Sequence, residues 1–378
     1  MAEFKTTLFE QMVRDFAENE VKPLAQEVDE LERFPAETVA KMAKLGLLGI
    51  IIPKQYGGAG AGYREYIFAV EELSKHCATT GVILSAHTSL CAAPILEFGT
   101  EAQRQKYLPD LATGRKLGAF GLTEPNAGTD ASNQQTVAVE MEDHFLLNGS
   151  KIFITNAGEA ETYVVITVTG KTPKGPEMTA FIVEKAFEGF SFGKHEKKMG
   201  IRGSATRELI FENVKVPKEN MLGKRGEGFK IAMKTLDGGR IGIAAQALGI
   251  AEGALDAAVA YTKSRKQFGR SISAFQNTQF QLADMATQVA AARALVYIAA
   301  DAKQAKAPTL SVNAAQAKLF ASETAMNVTT KAVQLHGGYG YTREYSVERM
   351  MRDAKITEIY EGTSEVQRMV ISGALLRK

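Results

Sequence analysis

Tryptophan is absent from this 378-residue chain, and cysteine nearly so, with only Cys77 and Cys91. Two thiols cannot build a disulfide framework, so a reducing, cytoplasmic setting is expected. Histidine is sparse: His76, His87, His144, His195 and His336 are scattered, and Met199 stands where a zinc-binding helix beginning at His195-Glu196 would need its second histidine. No metal site is therefore expected. There is no G-x-S-x-G elbow for acyl transfer. An excess of one charge is also missing, since 45 basic and 43 acidic residues leave a net +2. That balance gives no reason to expect nucleic-acid binding. No uninterrupted apolar run reaches membrane-spanning length; Leu47 to Ile52 is short and ends at Pro53. Met1-Ala2-Glu3-Phe4-Lys5 lacks the apolar core and cleavage site of a secretory signal.

What is present is ordinary globular composition, 45% apolar and 23% charged, on a chain long enough for two or three domains. Leu8, Met12, Phe16 and Val21 recur at helical spacing, Pro23 interrupts the pattern, and Phe34-Pro35 opens the next helix. Gln55 to Gly62 is a glycine-rich loop that does not fit a dinucleotide fingerprint. From about residue 118 the texture becomes β: Tyr163–Val168, Thr179–Val183 and Glu208–Phe211 are short β-branched runs between turns. Asn148-Gly149, between two apolar segments, signals a hairpin. His195 to Lys198 reads as a solvated basic loop. After Gly226-Glu227-Gly228, long alanine-rich stretches such as Ala283–Ala302 and Ala314–Val333 predict closely packed helices. The sequence thus predicts an α+β multidomain chain: an N-terminal helical domain (1–118), a central β-barrel-like domain (119–227) and a C-terminal four-helix bundle (228–378).

The segments that carry chemistry lie mostly near the C-terminus. His336-Gly337-Gly338-Tyr339-Gly340-Tyr341 frees backbone N–H groups to approach an anionic ligand. Arg352-Asp353-Ala354-Lys355 follows, and then Ile359-Tyr360-Glu361-Gly362-Thr363-Ser364-Glu365. Locally, Glu361 could be a helix-end carboxylate with Gly362 as its glycine stop. A carboxylate among apolar neighbours is also how a useful base arises. Phe120 to Asp130 reads locally as a turn-rich loop, and Phe153-Ile154-Thr155 as a plain strand. Arg265 to Arg270, with Gln276 beyond, reads as a basic helix end whose planar guanidinium groups suit a pyrophosphate.

Taken together, these segments resemble the acyl-CoA dehydrogenase flavoenzymes over essentially the whole chain, most of all their short-chain, butyryl-CoA branch. The resemblance implies FAD as cofactor, a short-chain acyl-CoA as substrate, and α,β-dehydrogenation to the trans-2-enoyl-CoA. It implies electron-transfer flavoprotein as electron acceptor and a homotetrameric assembly. Glu361 falls on the base that removes the α proton. Members with the base elsewhere carry glutamate where this chain has Gly238-Gly239. Phe120, Leu122, Thr123 and Thr129 would line the flavin and thioester, with Thr129 also contacting the CoA moiety. Asn133 departs from the small residue usual at its position. Phe153 would cover the flavin in place of the commoner tryptophan, with Ile154 beside it and Thr155 addressing N5. Arg265, Phe268, Gln276, Gln334, Gly337 and Gly338 would reach the FAD of a neighbouring subunit, and Thr363 and Glu365 would add contacts beside the base. Asp237 and Arg240 would meet the CoA chain, with Gly362 at the substrate. Ile83 and Leu84, on the helix containing Thr80–His87, would fill the floor of the acyl pocket and shorten it. A same-fold oxidase using oxygen and a non-catalytic scaffold remain as alternatives.

Overall fold

Thr7 opens the first helix by a reciprocal cap: its hydroxyl accepts from the Glu10 N–H at 3.1 Å, and its own N–H donates to the Glu10 carboxylate at 2.9 Å. In this computed structural model residues 7–173 and 175–376 are described, so the Met1–Lys5 stretch lies outside the described residues. Helix α1 (Leu8–Phe16) buries Val13 and Phe16. Pro23 changes the winding rather than stopping it: a wide π-type turn at Ala17–Val21 and a tight turn at Lys22–Leu24 carry the chain into α2 (Ala25–Glu30). Then come α3 (Ala36–Lys44), α4 (Tyr63–His76), α5 (Ala78–Ser85), a second wide turn at Ala86–Ala92, α6 (Ala93–Phe98) and α7 (Glu101–Ala112). The helical stretch Ala78–Phe98 is long and apolar enough to cross a membrane, as is Gly228–Ser264, although no single apolar run in the sequence signals either. Their most apolar windows are 83% and 67% buried inside the protein, which makes them core helices.

An eight-stranded mixed sheet follows: β1 (Gly118–Gly121), β2 (Val137–Glu140), β3 (His144–Thr155), β4 (Thr162–Thr172), β5 (Gly175–Glu184), β6 (Phe190–His195), β7 (Thr206–Pro217) and β8 (Met221–Leu222). One edge of β4 is shared, running parallel to β1 from Gly118↔Thr162 and to β2 at Val137↔Val168. The hairpin expected at Asn148-Gly149 is not formed. Both residues lie inside the continuous strand β3, at a register shift against β7. Asn148 exchanges hydrogen bonds with Asn213 of β7, at 3.1 and 2.9 Å. Gly149 is needed for proximity, because a Cβ there would sit 2.8 Å from Thr136. The reversal into β3 comes earlier, where the Met141 N–H donates to the His144 carbonyl at 2.8 Å.

The C-terminal layer contains α8 (Gly228–Ser264), a small β9–β10 ribbon (Lys266–Gln267, Arg270–Ser271), α9 (Gln276–Gln304), α10 (Leu310–His336), α11 (Val347–Thr357) and α12 (Ser364–Leu376). Helix α8 is the spine of the molecule, and its glycines allow α4 to pack against it directly. A Cβ on Gly249 would meet the Glu71 carbonyl at 2.1 Å, and one on Gly253 the Lys75 carbonyl at 2.3 Å. The Arg352-Asp353 motif ties the three layers together. Arg352 pairs with Asp29 of α2 at 2.6 Å and donates to the Met199 carbonyl at 3.1 Å. The Asp353 carboxylate accepts the Ile201 N–H at 2.5 Å, and Arg349 donates to the His76 carbonyl at 2.9 Å. His87 pins the sheet to the helices, with one ring nitrogen accepting the Gly118 N–H at 3.0 Å and the other facing the Leu48 carbonyl at 3.2 Å.

Gly249→Ala should force α4 away from α8 and cost about 1–3 kcal/mol, read as a lower denaturant midpoint. Gly238→Ala, where the nearest atom to a new Cβ is 3.9 Å away, should be neutral or up to about 1 kcal/mol stabilising. Equal midpoints for the two variants would show that the close approach at Gly249 carries no cost.

Candidate active site

A cavity of about 300 Å³ lies where the three layers meet. Val82, Ala86 and Leu90 line it from the helical stretch beginning at α5, Phe120, Leu122, Thr123 and Thr129 from β1 and the loop after it, and Phe153, Ile154 and Thr155 from the end of β3. Phe229, Met233, Leu236 and Arg240 come from α8, and Tyr360, Glu361 and Gly362 from the segment between α11 and α12.

Glu361 reaches this cavity through unusual backbone. It is left-handed at φ 52°, and Gly362 follows at φ 90°; α11 has already ended at Thr357, so Gly362 shapes a turn between helices and is not the glycine stop of one. Its side chain lies against α8: a Cβ on Gly239 would fall 1.7 Å from Glu361 Oε2. Glycine at 239 is therefore a steric condition for the carboxyl to be there. Oε2 is buried and accepts no hydrogen bond among the described residues. Burial is the main influence on this carboxyl and pushes its pKa up to about 8, against the pull of the Lys318 and Arg240 charges. Ile359 is 48% exposed, so the dry surroundings come from Leu90, Tyr360 and the α8 backbone rather than from Ile359. The Tyr360 hydroxyl is held by Gln246, whose amide donates to the Ala78 carbonyl at 3.0 Å.

The loop between β1 and β2 is braced from beneath by a buried lysine. Lys151 of β3 is fully buried, pairs with Glu124 at 2.7 Å, and also bonds Gln134 and the Leu122 carbonyl. Glu124 in turn accepts the N–H groups of Gln135 at 2.6 Å and Thr136 at 3.0 Å. Burial lowers the Lys151 pKa to about 8, while Glu124 opposes the shift. A satisfied buried pair of this kind fixes a loop in one shape, because losing either partner strands the other charge. Asn133 closes the same loop by donating to the Asn126 carbonyl at 3.1 Å, and the Thr123 carbonyl accepts the Ile152 N–H at 2.8 Å.

Phe153 sits in a second register shift of β3 against β7, between Lys151 and Ile154. At φ 58° and 62% exposed, it is a bulky apolar side chain in a strained conformation, turned out of the sheet and onto the cavity wall. An aromatic ring held this way, with Thr123 and Thr155 in the same cavity lining, fits a planar heteroaromatic ligand.

Ten of the sequence-predicted residues thus converge: Phe120, Leu122, Thr123, Thr129, Phe153, Ile154, Thr155, Arg240, Glu361 and Gly362. Asp237 lies behind Arg240 instead of in the cavity wall, accepting from its guanidinium at 2.9 Å and from the Ser311 hydroxyl at 2.6 Å. Thr363 accepts the Val366 N–H at 3.3 Å, and Glu365 is exposed in the first turn of α12. A separate concavity collects Arg265, Gln334, Gly337 and Gly338 with Tyr261 and Tyr339. Phe268, 93% exposed, projects from the β9–β10 ribbon, and Gln276 begins α9 exposed. The expectation for Ile83 and Leu84 is corrected. Both are fully buried outside the cavity lining, and their neighbours Val82 and Ala86 on the same helical stretch face the cavity. Sequence reasoning missed Lys318 and Lys151, because a single lysine in an amphipathic helix or strand gives no sign of being buried.

The chain matches three family models in succession: "Acyl-CoA dehydrogenase, N-terminal domain" over residues 5–115, the middle domain over 119–214 and the C-terminal domain over 226–376. The short-chain specific acyl-CoA dehydrogenase of Clostridium acetobutylicum is 65% identical, covering 98% of this chain and 97% of that one. The three-dimensional structure of butyryl-CoA dehydrogenase from Megasphaera elsdenii superposes with TM-score 0.95 at 55% identity, over 99% of this chain and 100% of that one. A chain from the structural work "Electron transferring flavoprotein of Acidaminococcus fermentans: Towards a mechanism of flavin-based electron bifurcation" gives TM-score 0.95 at 58% identity over the full length of both. An acyl-CoA dehydrogenase complexed with FAD from Bacillus anthracis gives TM-score 0.93 at 36% identity, over 98% of this chain and 66% of that one. With its three domains matched in order and its fold shared end to end, the chain belongs to the acyl-CoA dehydrogenase family.

Proposed function

We propose that this protein is an FAD-dependent dehydrogenase of short-chain acyl-CoA, with Glu361 as the base that removes the proton α to the thioester carbonyl. The observation that carries this reading is the Glu361 carboxyl itself, buried, unpaired at Oε2, and seated against a glycine on α8. The cofactor is FAD, and the residues that would hold its ring are Phe120, Leu122, Thr123, Phe153, Ile154 and Thr155. When bound, the flavin supplies the acceptor for the β hydrogen as hydride.

The protein's own contribution is proton removal, orientation and exclusion of water. The Glu361 N–H has no partner among the described residues, which leaves it free to donate to the thioester oxygen as negative charge develops there. Glu361 takes the α proton directly, and its raised pKa makes the carboxylate a stronger base than an exposed glutamate. Arg240, held by Asp237, and Thr129 would bind the CoA chain. The acyl end is walled by Val82, Ala86, Leu90 and the pinned Tyr360, a small apolar enclosure that supports a short chain. Arg265, Phe268, Gln276, Gln334, Gly337 and Gly338 would serve the FAD of a neighbouring subunit in a homotetramer, with Thr363 and Glu365 adding contacts near the base. The likeness to the chain from the electron-transferring-flavoprotein work supports electron-transfer flavoprotein as acceptor. Cys77 and Cys91 are free and buried, in keeping with a reducing cytoplasm.

Four outcomes test this. Glu361→Gln keeps size and polarity but removes the basic oxygen, so it should retain FAD and CoA-ligand binding while slowing anaerobic flavin bleaching by butyryl-CoA about 10²–10⁴-fold. Because the carboxylate is the active form, the wild-type bleaching rate should climb with pH toward a plateau above about 8. A variant that bleaches near the wild-type rate would assign the base elsewhere. For chain length, kcat/KM should be highest for C4–C6 substrates and fall by C8; a steady rise to octanoyl-CoA would contradict the short enclosure. Arg265→Ala should weaken FAD retention about ten- to a hundredfold, the scale of a charge-assisted contact, as measured by flavin release on dilution. A monomer that keeps stoichiometric FAD would overturn the shared site.

A further inference from the structure

Lys318 is a buried charge that the reading above leaves without a role. It sits within α10, fully excluded from solvent, and its ammonium donates to the Gly362 carbonyl at 2.7 Å. A lysine with a long flexible stem would ordinarily extend to the surface. The same carbonyl already receives a neutral donor, because Gln367 Nε2 of α12 bonds it at 2.8 Å and the Glu361 carbonyl at 3.2 Å. A second donor adds little to holding one peptide oxygen. What Lys318 adds, and Gln367 does not, is charge.

That charge is bound at the carbonyl of the residue that follows the base. The carbonyl it grips belongs to Gly362, the second of two successive left-handed residues, so the ammonium holds the turn that aims the Glu361 carboxyl at Gly239 from its far side. Around Glu361, α10 contributes Lys318, α8 contributes Arg240 with its partner Asp237, α4 contributes the Tyr66 hydroxyl, and Tyr360 adjoins it in sequence. The charges of Glu358 and Glu365 act on Lys318 as well, more weakly than that of Glu361. Asp237 already pairs with Arg240, and the opposite charge that acts most strongly on Lys318 is the base.

We propose that Lys318 is a positioning residue for proton abstraction: by gripping the Gly362 carbonyl it fixes the turn that aims the Glu361 carboxyl, and it holds a buried positive charge beside that turn. The proposal rests on Glu361 being the base. Two further observations agree with it. Burial is the largest influence on both groups, raising the Glu361 pKa and lowering that of Lys318, and each charge opposes the shift of the other. The substrate proton goes to Glu361 and no further, and Lys318 takes no part in its transfer.

The test is the pH dependence of anaerobic flavin bleaching by butyryl-CoA in the FAD-loaded enzyme, for wild type, Lys318→Met, Gln367→Leu and Glu361→Gln. Lys318→Met keeps the apolar stem and removes the charge. Its acid limb should move up by about one pH unit, giving roughly a tenfold slower rate at pH 7 and a plateau at high pH within a few-fold of wild type. Gln367→Leu removes the neutral donor alone and should lower the plateau without moving the limb. A Lys318→Met enzyme that holds FAD, with its limb at the wild-type position, overturns the proposal. If that variant does not fold with flavin, Lys318→Gln is read in the same way. Failure of both to fold while Gln367→Leu folds would make Lys318 a support of the fold and would also overturn it. Glu361→Gln separates the two readings: a slow Glu361→Gln with an unshifted Lys318→Met limb removes the role of Lys318 alone, whereas an undiminished Glu361→Gln removes the base.

Discussion

The placement of one carboxyl group against the backbone of one helix organises this molecule. Glu361 can lie where it does only because α8 carries no side chain at position 239, and α8 can stand in the centre only because its other glycines let neighbouring helices close around it. The spine of the fold and the floor of the active site are therefore the same object. Burying an ionisable group in such a place is costly unless charge nearby compensates it. The structure supplies that compensation from α8 and α10, through Arg240 and Lys318, and leaves one carboxyl oxygen without a partner.

The sheet meets this spine through strained and buried devices rather than through broad apolar contact alone. Two register shifts in β3 do different work. The one at Gly149 lets the strand pass close to Thr136, and the one at Phe153 turns an aromatic ring out of the sheet. Beneath them the Lys151–Glu124 pair fixes the loop that faces the ring. Backbone strain of this kind persists only where surrounding contacts over-determine it, and here a fully satisfied polar cluster provides them.

Much of this was legible in the sequence, and the exceptions have physical reasons. The three layers follow from the change of texture near residues 118 and 228, whereas the convergence of residues 120–129, 153–155 and 361 comes from the family resemblance of those segments, which read locally as a loop, a strand and a helix-end carboxylate. The hairpin at Asn148-Gly149 was misread because a turn and a bulge ask the same freedom of glycine, and only the strand on the far side, β7, decides between them. Ile83 and Leu84 were placed on the wrong face because α5 is apolar on every side, so its periodicity carries no direction. Lys318 and Lys151 were invisible for the opposite reason: a charged residue is normally a solvent marker, and nothing in the sequence marks these two as interior. The role expected of the Gly-Gly segment at 337–338 depends on a surface that one chain cannot display by itself.

Helix α10 carries Lys318 beside the turn that holds the base and, sixteen residues later, Gln334 at the rim of the second concavity. At about 1.5 Å per residue the two stand roughly 24 Å apart along a single rod. A continuous hydrogen-bonded helix resists stretching far better than it resists bending. The spacing between the reaction centre and that outer surface is thus set by a ruler built into the chain. Whatever docks on the outer surface meets a platform whose distance from the base stays constant while the loops around both sites adjust.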